Sequence, residues 1–343
     1  MAEFNIPEIQ QRKPDLWRYQ EALPSIDSFN RVSFSEGYTP LIPVKFHNRQ
    51  VLIKQEHLFQ TGSYKDRGAA LLISWAKELG IRHVVEDSSG NSGCAIAAYS
   101  ARAGIKCDIY VPDSTSPGKL IQIRSYGANL HLIPGSREDT ARAVLEAAQS
   151  TYYASHSWNP FFFQGTKTFA YEIWQQLDFQ APQALILPAG NGTLILGAWL
   201  GFKDLLNAGM ISHMPRLFAV QAENCAPLYH GFLQGLKTPV TVQPVPTLAE
   251  GIAIAEPVRG SQIIQAVTET GGDFQAVTEQ QIRQSITEMH AQGFYIEPTS
   301  AAITAAIPQI IERHPEIEIW VSAFTGHGLK STEKLQHLQK FNP

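Results

Sequence analysis

Thr61-Gly-Ser-Tyr-Lys-Asp-Arg-Gly-Ala69 sets one lysine, Lys65, between a glycine turn and the start of a helix. Gly62 permits a sharp bend, and Ser63 is placed to cap a helix start. Ala69, Leu71, Leu72, Trp75 and Leu79 then recur at amphipathic helical spacing up to Gly80. A cation in the first helical turn opposes the helix dipole. The same field, with Arg67 close by, is expected to depress the amine's pKa and prepare Lys65 as a nucleophile. A lone lysine is far more often a solvated surface charge, so its role rests on what surrounds it in the chain.

Upstream, Gly37–Val44 and Val51–Lys54 read as short strands around a polar turn at His47–Gln50. Downstream, helix and strand alternate. A helix over 65–79 precedes strand His83–Val85, and a helix over 92–103 precedes strand Cys107–Val111. Helix 118–126, strand Asn129–Ile133 and helix 137–149 complete that series. A second series has helix 165–177, strand Ala184–Leu187, helix 194–207 and strand Arg216–Val220. After a proline-rich connector (237–257) come helices 261–270, 279–291 and 299–313 and strand Ile317–Val321. Such alternation predicts an α/β protein of two units with mainly parallel sheets flanked by helices.

The composition is that of an ordinary globular protein: 343 residues, 44% hydrophobic, 17% charged, formal net charge −4. That charge gives no support to nucleic-acid binding. The N-terminal stretch mixes charges with Pro7 and Pro14 and has no apolar core, so neither a secretory signal nor a membrane span is expected, and a cytoplasmic location is. Cys94, Cys107 and Cys225 lack Cys-x-x-Cys spacing, which argues against a disulfide framework and a structural zinc site. No metal is expected.

Three loops each follow an apolar strand, where open α/β sheets bind ligands. Ser88-Ser-Gly-Asn-Ser-Gly93 offers small residues and backbone amides to an anion at a helix start. Pro188-Ala-Gly-Asn-Gly-Thr-Leu194 has neither the Gly-x-Gly-x-x-Gly spacing of a dinucleotide site nor the lysine of a nucleotide-triphosphate loop, and suits a single phosphate. Phe324-Thr-Gly-His-Gly-Leu-Lys330 gathers a hydroxyl, an imidazole and glycines. Each alone is more simply a turn. Together with Lys65 they are what an aldehyde cofactor with one phosphate requires, and pyridoxal 5'-phosphate is that cofactor.

The chain resembles the threonine synthase branch of the fold type II pyridoxal-phosphate enzymes. The resemblance rests on Tyr38-Thr-Pro-Leu-Ile-Pro43, the lysine stretch, Ser88-Ser-Gly-Asn91, Asn159-Pro160 with Gly165-Thr-Lys-Thr168, Pro188-Ala-Gly-Asn191, Glu297-Pro-Thr-Ser-Ala-Ala302 and Thr325-Gly-His-Gly-Leu-Lys330, in the family's order. It implies two open twisted sheets with the cofactor in the cleft between a large domain (1–54 plus 156–343) and a smaller mobile one (55–155), and a homodimer. Lys65 would form the Schiff base and move the α-proton. Asn91 would meet the ring hydroxyl, and Ser88, Ser89 and Ser92 the substrate carboxylate. Gly190, Asn191, Gly192, Thr193 and Leu194 would hold the cofactor phosphate, and Thr325 would lie beside the pyridine nitrogen, where a neutral hydroxyl favours early loss of a leaving group.

Asn159 and Phe162 fall where the family meets the substrate's phosphate, but Phe162 stands in place of an arginine. A phenyl ring cannot pair with a dianion, so a less charged leaving group is expected, and an arginine at 162 would be expected to help phosphorylated substrates. The activity implied is a lyase acting on an amino acid with a β- or γ-leaving group, such as O-phosphohomoserine. The alternatives are a serine/threonine dehydratase-like or cysteate-synthase-like enzyme and, outside enzymes, a non-catalytic binding module. The missing dinucleotide fingerprint disfavours a nicotinamide-dependent oxidoreductase.

Overall fold

Runs of apolar residues become buried strands here. Ala184–Pro188 (β7) is buried at every position, the pattern of a central parallel strand covered on both faces. The computed structural model describes residues 2–115, 117–135 and 137–339. Its strands are β1 Leu41–Phe46, β2 Arg49–Lys54, β3 His83–Glu86, β4 Lys106–Pro112, β5 Asn129–Ile133, β6 Tyr152–Tyr153, β7, β8 Arg216–Ala222, β9 Asp273–Val277 and β10 Trp320–Ala323. They form a six-stranded sheet, β1-β2-β10-β7-β8-β9, and a four-stranded one, β5-β4-β3-β6. Only the β1–β2 hairpin pairs antiparallel, so the expectation of two mainly parallel sheets flanked by helices holds.

Apolar clusters cover both faces of the larger sheet, one around Trp174, Phe202 and Phe274 and the other around Ile186, Phe218 and Trp320. A third packs helices Lys65–Glu78 and Asn91–Ala103 against the smaller sheet. Among the described residues no helix is long and apolar enough to cross a membrane. The three cysteines are buried and form no disulfide among the described residues.

The elements depart from expectation at a few places. The final strand runs over Trp320–Ala323 instead of Ile317–Val321, because the Gln183 side chain accepts the Glu318 and Ile319 N–H groups (2.7 and 2.8 Å) before the ladder begins. The helix expected over 165–177 is two helices, Pro160–Thr166 and Thr168–Gln176, meeting at Lys167. The first starts early because Asn159 accepts the Phe161 N–H and Pro160 occupies the first turn. Strands β6 and β9 and the helix Pro227–Leu233 had no counterpart in the sequence reading.

Lys65 opens its helix as expected, but Ser63 does not cap it: the hydroxyl is buried without a hydrogen-bond partner. Asp66 closes the turn instead, accepting the Thr61 N–H at 2.9 Å and the Thr61 hydroxyl. Burial lifts the Asp66 carboxyl to about 7, against those hydrogen bonds. Gly62 adopts φ +80°, as the bend requires.

Two residues into the helix, Arg67 is fully buried. Its guanidinium grips Glu56 (2.6 and 2.7 Å) and Glu172 (2.5 and 2.6 Å) as two forks and donates to Thr168 at 3.0 Å. Lys54, the last residue of β2, adds a 2.9 Å pair to Glu172. Burial pushes Glu172 up, but Arg67 and Lys54 outweigh it and hold the carboxylate below its ordinary range. The charge of Arg67 is therefore balanced by two carboxylates, not directed at Lys65 as the sequence reading had it.

Removing one member strands the others in low dielectric. Arg67→Ala is expected to cost on the order of 3–5 kcal/mol, read as a lower urea midpoint with an unchanged slope; a midpoint equal to wild type would contradict this account of the network.

Candidate active site

Parallel strands deliver their following loops to one end of a sheet. Ser88–Ser92 follows β3, Gly190–Thr193 follows β7 and Thr325 follows β10, and all face one cavity of about 1380 Å³ that Lys65 also lines. The lysine turn is bonded directly to the β10 loop: Tyr64 N–H donates to Thr325 O (3.1 Å) and His327 N–H to Gly62 O (2.9 Å). The Lys65 amine donates to Thr193 Oγ1 at 2.6 Å and lies 4.7 Å from the Tyr64 ring centre. Tyr64 Oη meets the same threonine hydroxyl at 2.6 Å.

The helix Thr193–Asn207 begins at Gly192, in the left-handed region at φ +75°, with no side-chain cap. Its first amides are thus open to an anion. A Cβ on Gly190 would come within 3.0 Å of Ile252 Cα, so the loop needs glycine to pass that close. The helix Asn91–Ala103 likewise starts at Gly90 without a side-chain cap, beside the three serines. Gly93 is required there, since its Cβ would lie 1.8 Å from Ser88 O.

Asn91 donates to Glu297 Oε2 at 3.0 Å, and the Thr325 hydroxyl meets Glu297 Oε1 at 3.2 Å and Ser300 Oγ at 3.1 Å. Glu297 therefore joins the residue expected at the ring hydroxyl and the one expected at the pyridine nitrogen. Burial raises its pKa, and the Asn91 and Thr325 hydrogen bonds, Lys330 and Lys65 oppose the rise. Its motif was visible in the sequence, but its role was not, because both partners lie far away along the chain. Gly326 makes room for it: a Cβ there would sit 2.2 Å from Glu297 Cδ.

Of the residues expected in the site, Lys65, Ser88, Ser89, Asn91, Ser92, Gly190, Asn191, Gly192, Thr193 and Thr325 line the cavity. Leu194 packs its side chain into the core, leaving only its backbone amide to the loop. Asn159 and Phe162 are not on the cavity wall. Asn159 caps the helix Pro160–Thr166 and donates to Tyr152 Oη at 3.0 Å. Phe162 is fully buried, its ring filling the space over Gly68, where a Cβ would meet it at 2.3 Å.

An uncapped helix start, a lysine reaching that helix and a polar row on the same cavity suit a phosphorylated aldehyde cofactor. The profile of the family described as "Pyridoxal-phosphate dependent enzyme" matches residues 32–326. Threonine synthase of Methanocaldococcus jannaschii is 34% identical over 95% of this chain and 83% of its own length; that of Synechocystis sp. is 35% identical over 92% and 82%. Threonine deaminase isoform 2 of Solanum lycopersicum superposes with a TM-score of 0.77 at 21% identity, covering 99% of this chain and 91% of that one, a likeness of fold. The chain belongs to the pyridoxal-phosphate dependent enzyme family, in its threonine synthase-like, fold type II branch. Its cofactor is pyridoxal 5'-phosphate.

Two outcomes follow from this geometry. Phe162→Arg would bury an unpaired charge beneath the lysine helix, so it is expected to cost on the order of 3 kcal/mol in denaturation instead of aiding phosphorylated substrates. Glu297→Gln, which turns one of the two oxygens accepting from Asn91 and Thr325 into a donor, is expected to weaken cofactor binding about tenfold, measured by following the visible absorbance as cofactor is titrated into apoprotein.

Proposed function

We propose that this chain is a pyridoxal-phosphate lyase of threonine-synthase type, acting on an amino acid with a β- or γ-leaving group. The observation that carries this reading is Lys65 on the cavity wall, hydrogen-bonded to the first residue of the uncapped helix at Gly192. When bound, the cofactor supplies an electron sink for the α-carbon. The residues of the chain divide the remaining work. The amides of Gly192–Leu194 hold its phosphate, and Asn91, Glu297 and Thr325 set its ring. Ser88, Ser89 and Ser92 with the open amides of their helix bind the substrate carboxylate, and Lys65 Nζ accepts the α-proton.

The two sheets belong, in this reading, to a large domain (1–54 plus 156–343) and a smaller one (55–155) that closes over the substrate. Lys330 crosses between them, donating to Thr61 O at 2.8 Å and to the Gln122 side chain. The homodimer suggested by resemblance is part of the same proposal.

A dehydratase-like activity is the second reading, favoured by one observation. Among the described residues no arginine lines the cavity, so the bidentate partner best suited to a phosphate dianion is missing.

Purified protein reconstituted with pyridoxal phosphate is expected to be yellow, and borohydride to fix the cofactor on Lys65, with Lys65→Ala neither labelled nor active above about a thousandth of wild type. Phosphate, threonine and keto-acid release from O-phosphohomoserine, O-phosphoserine, serine and threonine then separate the two readings. Failure to bind the cofactor would sink both.

A further inference from the structure

A buried carboxylate–imidazole pair stands on the cavity wall apart from the residues assigned so far. Glu86 ends β3 and leads through Asp87 into the serine loop, and His156 follows β6. These strands are parallel neighbours, with Val85 opposite Tyr153, which brings the two side chains together: His156 Nδ1 lies 2.7 Å from Glu86 Oε1. Glu86 is fully buried, and its other oxygen has no hydrogen-bond partner among the described residues. The far ring nitrogen, Nε2, accepts from Asn191 Nδ2 of the Gly190–Thr193 loop at 3.3 Å, and when protonated it would donate to the same amide turned to present its oxygen. His156 thus spans from the serine loop's strand to the phosphate loop.

The imidazole also shares a neighbour with the reactive amine. Its ring stands edge-on to Phe162 with centroids 6.1 Å apart, and Lys65 Nζ lies 5.6 Å from the same Phe162 centroid. Both His156 and Lys65 line the cavity. The charged and titratable groups facing the pair are Asp87 and Tyr153, which are bonded to each other at 2.7 Å, Lys65, and Arg259, which donates to Ser157 O and Trp158 O.

A low-dielectric wall disfavours net charge. The pair is neutral as a unit when it holds one proton, and negative when it holds none, so burial keeps it loaded. In accord with this, burial and then Asp87 raise the Glu86 pKa, against Lys65 and backbone hydrogen bonds. Passed to the imidazole, the proton of the pair stands on the same cavity wall as the amine that takes the α-proton, the place of a general acid. It is of most use where the departing oxygen is a poor leaving group, and the wall offers no arginine to a charged one.

We propose that His156, oriented by Glu86, donates the proton to the departing β-oxygen of a hydroxy amino acid substrate. The inference rests on the dehydratase-like reading above. Lys65 Nζ accepts the α-proton, and the C–H electron pair becomes the Cα–Cβ double bond. The Cβ–O bond breaks with its pair on oxygen, and the proton from His156 completes a water molecule. Solvent then reloads the pair. His156 is the catalytic residue, and Glu86 is a positioning residue.

The test compares L-serine with β-chloro-L-alanine, whose chloride leaves without a proton. His156→Gln is expected to lower kcat on serine about 100-fold, and on the chloro compound at least tenfold less than that. Glu86→Gln is expected to move the alkaline limb of the serine pH profile to lower pH, because the imidazole loses the carboxylate that stabilises its charged form. Histidine NMR of the holoenzyme is expected to show the same downward move in the His156 titration. Equal losses on both substrates, no loss on serine, or an unmoved imidazole titration would overturn this proposal alone. Wild type that turns over neither compound would overturn it together with the dehydratase-like reading, while turnover of O-phosphohomoserine by the same preparation would leave the threonine-synthase-type reading standing.

Discussion

The placement of Lys65 depends on a cation it never touches. Arg67 lies half a turn further along the same helix, fully buried between Glu56 and Glu172. Glu56 follows β2, Lys54 ends it, and Glu172 belongs to the helix Thr168–Gln176. One guanidinium therefore ties the start of the lysine helix to the large sheet and to the helix layer that covers it. Two cations against two carboxylates leave no net charge in the interior, and Thr39 and Thr168 supply further hydrogen bonds at 2.7 and 3.0 Å. An arrangement of this kind is a costly way to gain stability, and here it fixes the direction of the helix start that carries the amine.

From that anchor the cleft is assembled by strand ends. β7 and β10 are neighbours in the large sheet, so the phosphate loop and the Thr325 loop open side by side. The serine loop comes from the other sheet, and its Asn91 donates to Glu297, which also accepts from Thr325. That buried carboxylate is one of the links between the two sheets across the cavity, beside those of Lys330 and His156. The same division explains why glycine is needed at Gly93, Gly190 and Gly326: at each, backbone or a buried side chain fills the space a Cβ would take.

Much of the architecture could be read from the chain, because helix and strand periods are local. The alternation from Lys65 to Ile133 is reproduced to within a few residues, since each segment has both its apolar period and a glycine or polar stop. Elements were missed where the local signal was weak. β6 is two residues long, and β9 is a part-buried edge strand whose Asp-Phe-Gln-Ala-Val sequence has no clean alternation. The last strand was displaced because a distant side chain, Gln183, takes its first amides.

The sequence by itself determined the class of chemistry: the lysine stretch, the serine loop and the glycine loop each carry their residues within a few positions, and their order along the chain is unambiguous. Only the tertiary structure decided which side chains share a wall. It sent Phe162 and Asn159 into packing and capping, turned Arg67 away to its carboxylates, and brought Glu297 and the Glu86–His156 pair to the cavity. Apart from the local cap of Asn159, those outcomes rest on contacts between residues from 11 to more than 200 positions apart, and no spacing along the chain encodes a distance of that kind. At Lys65 the two sources meet, with its helix start written in the sequence and its partner, Thr193 Oγ1, supplied by the fold.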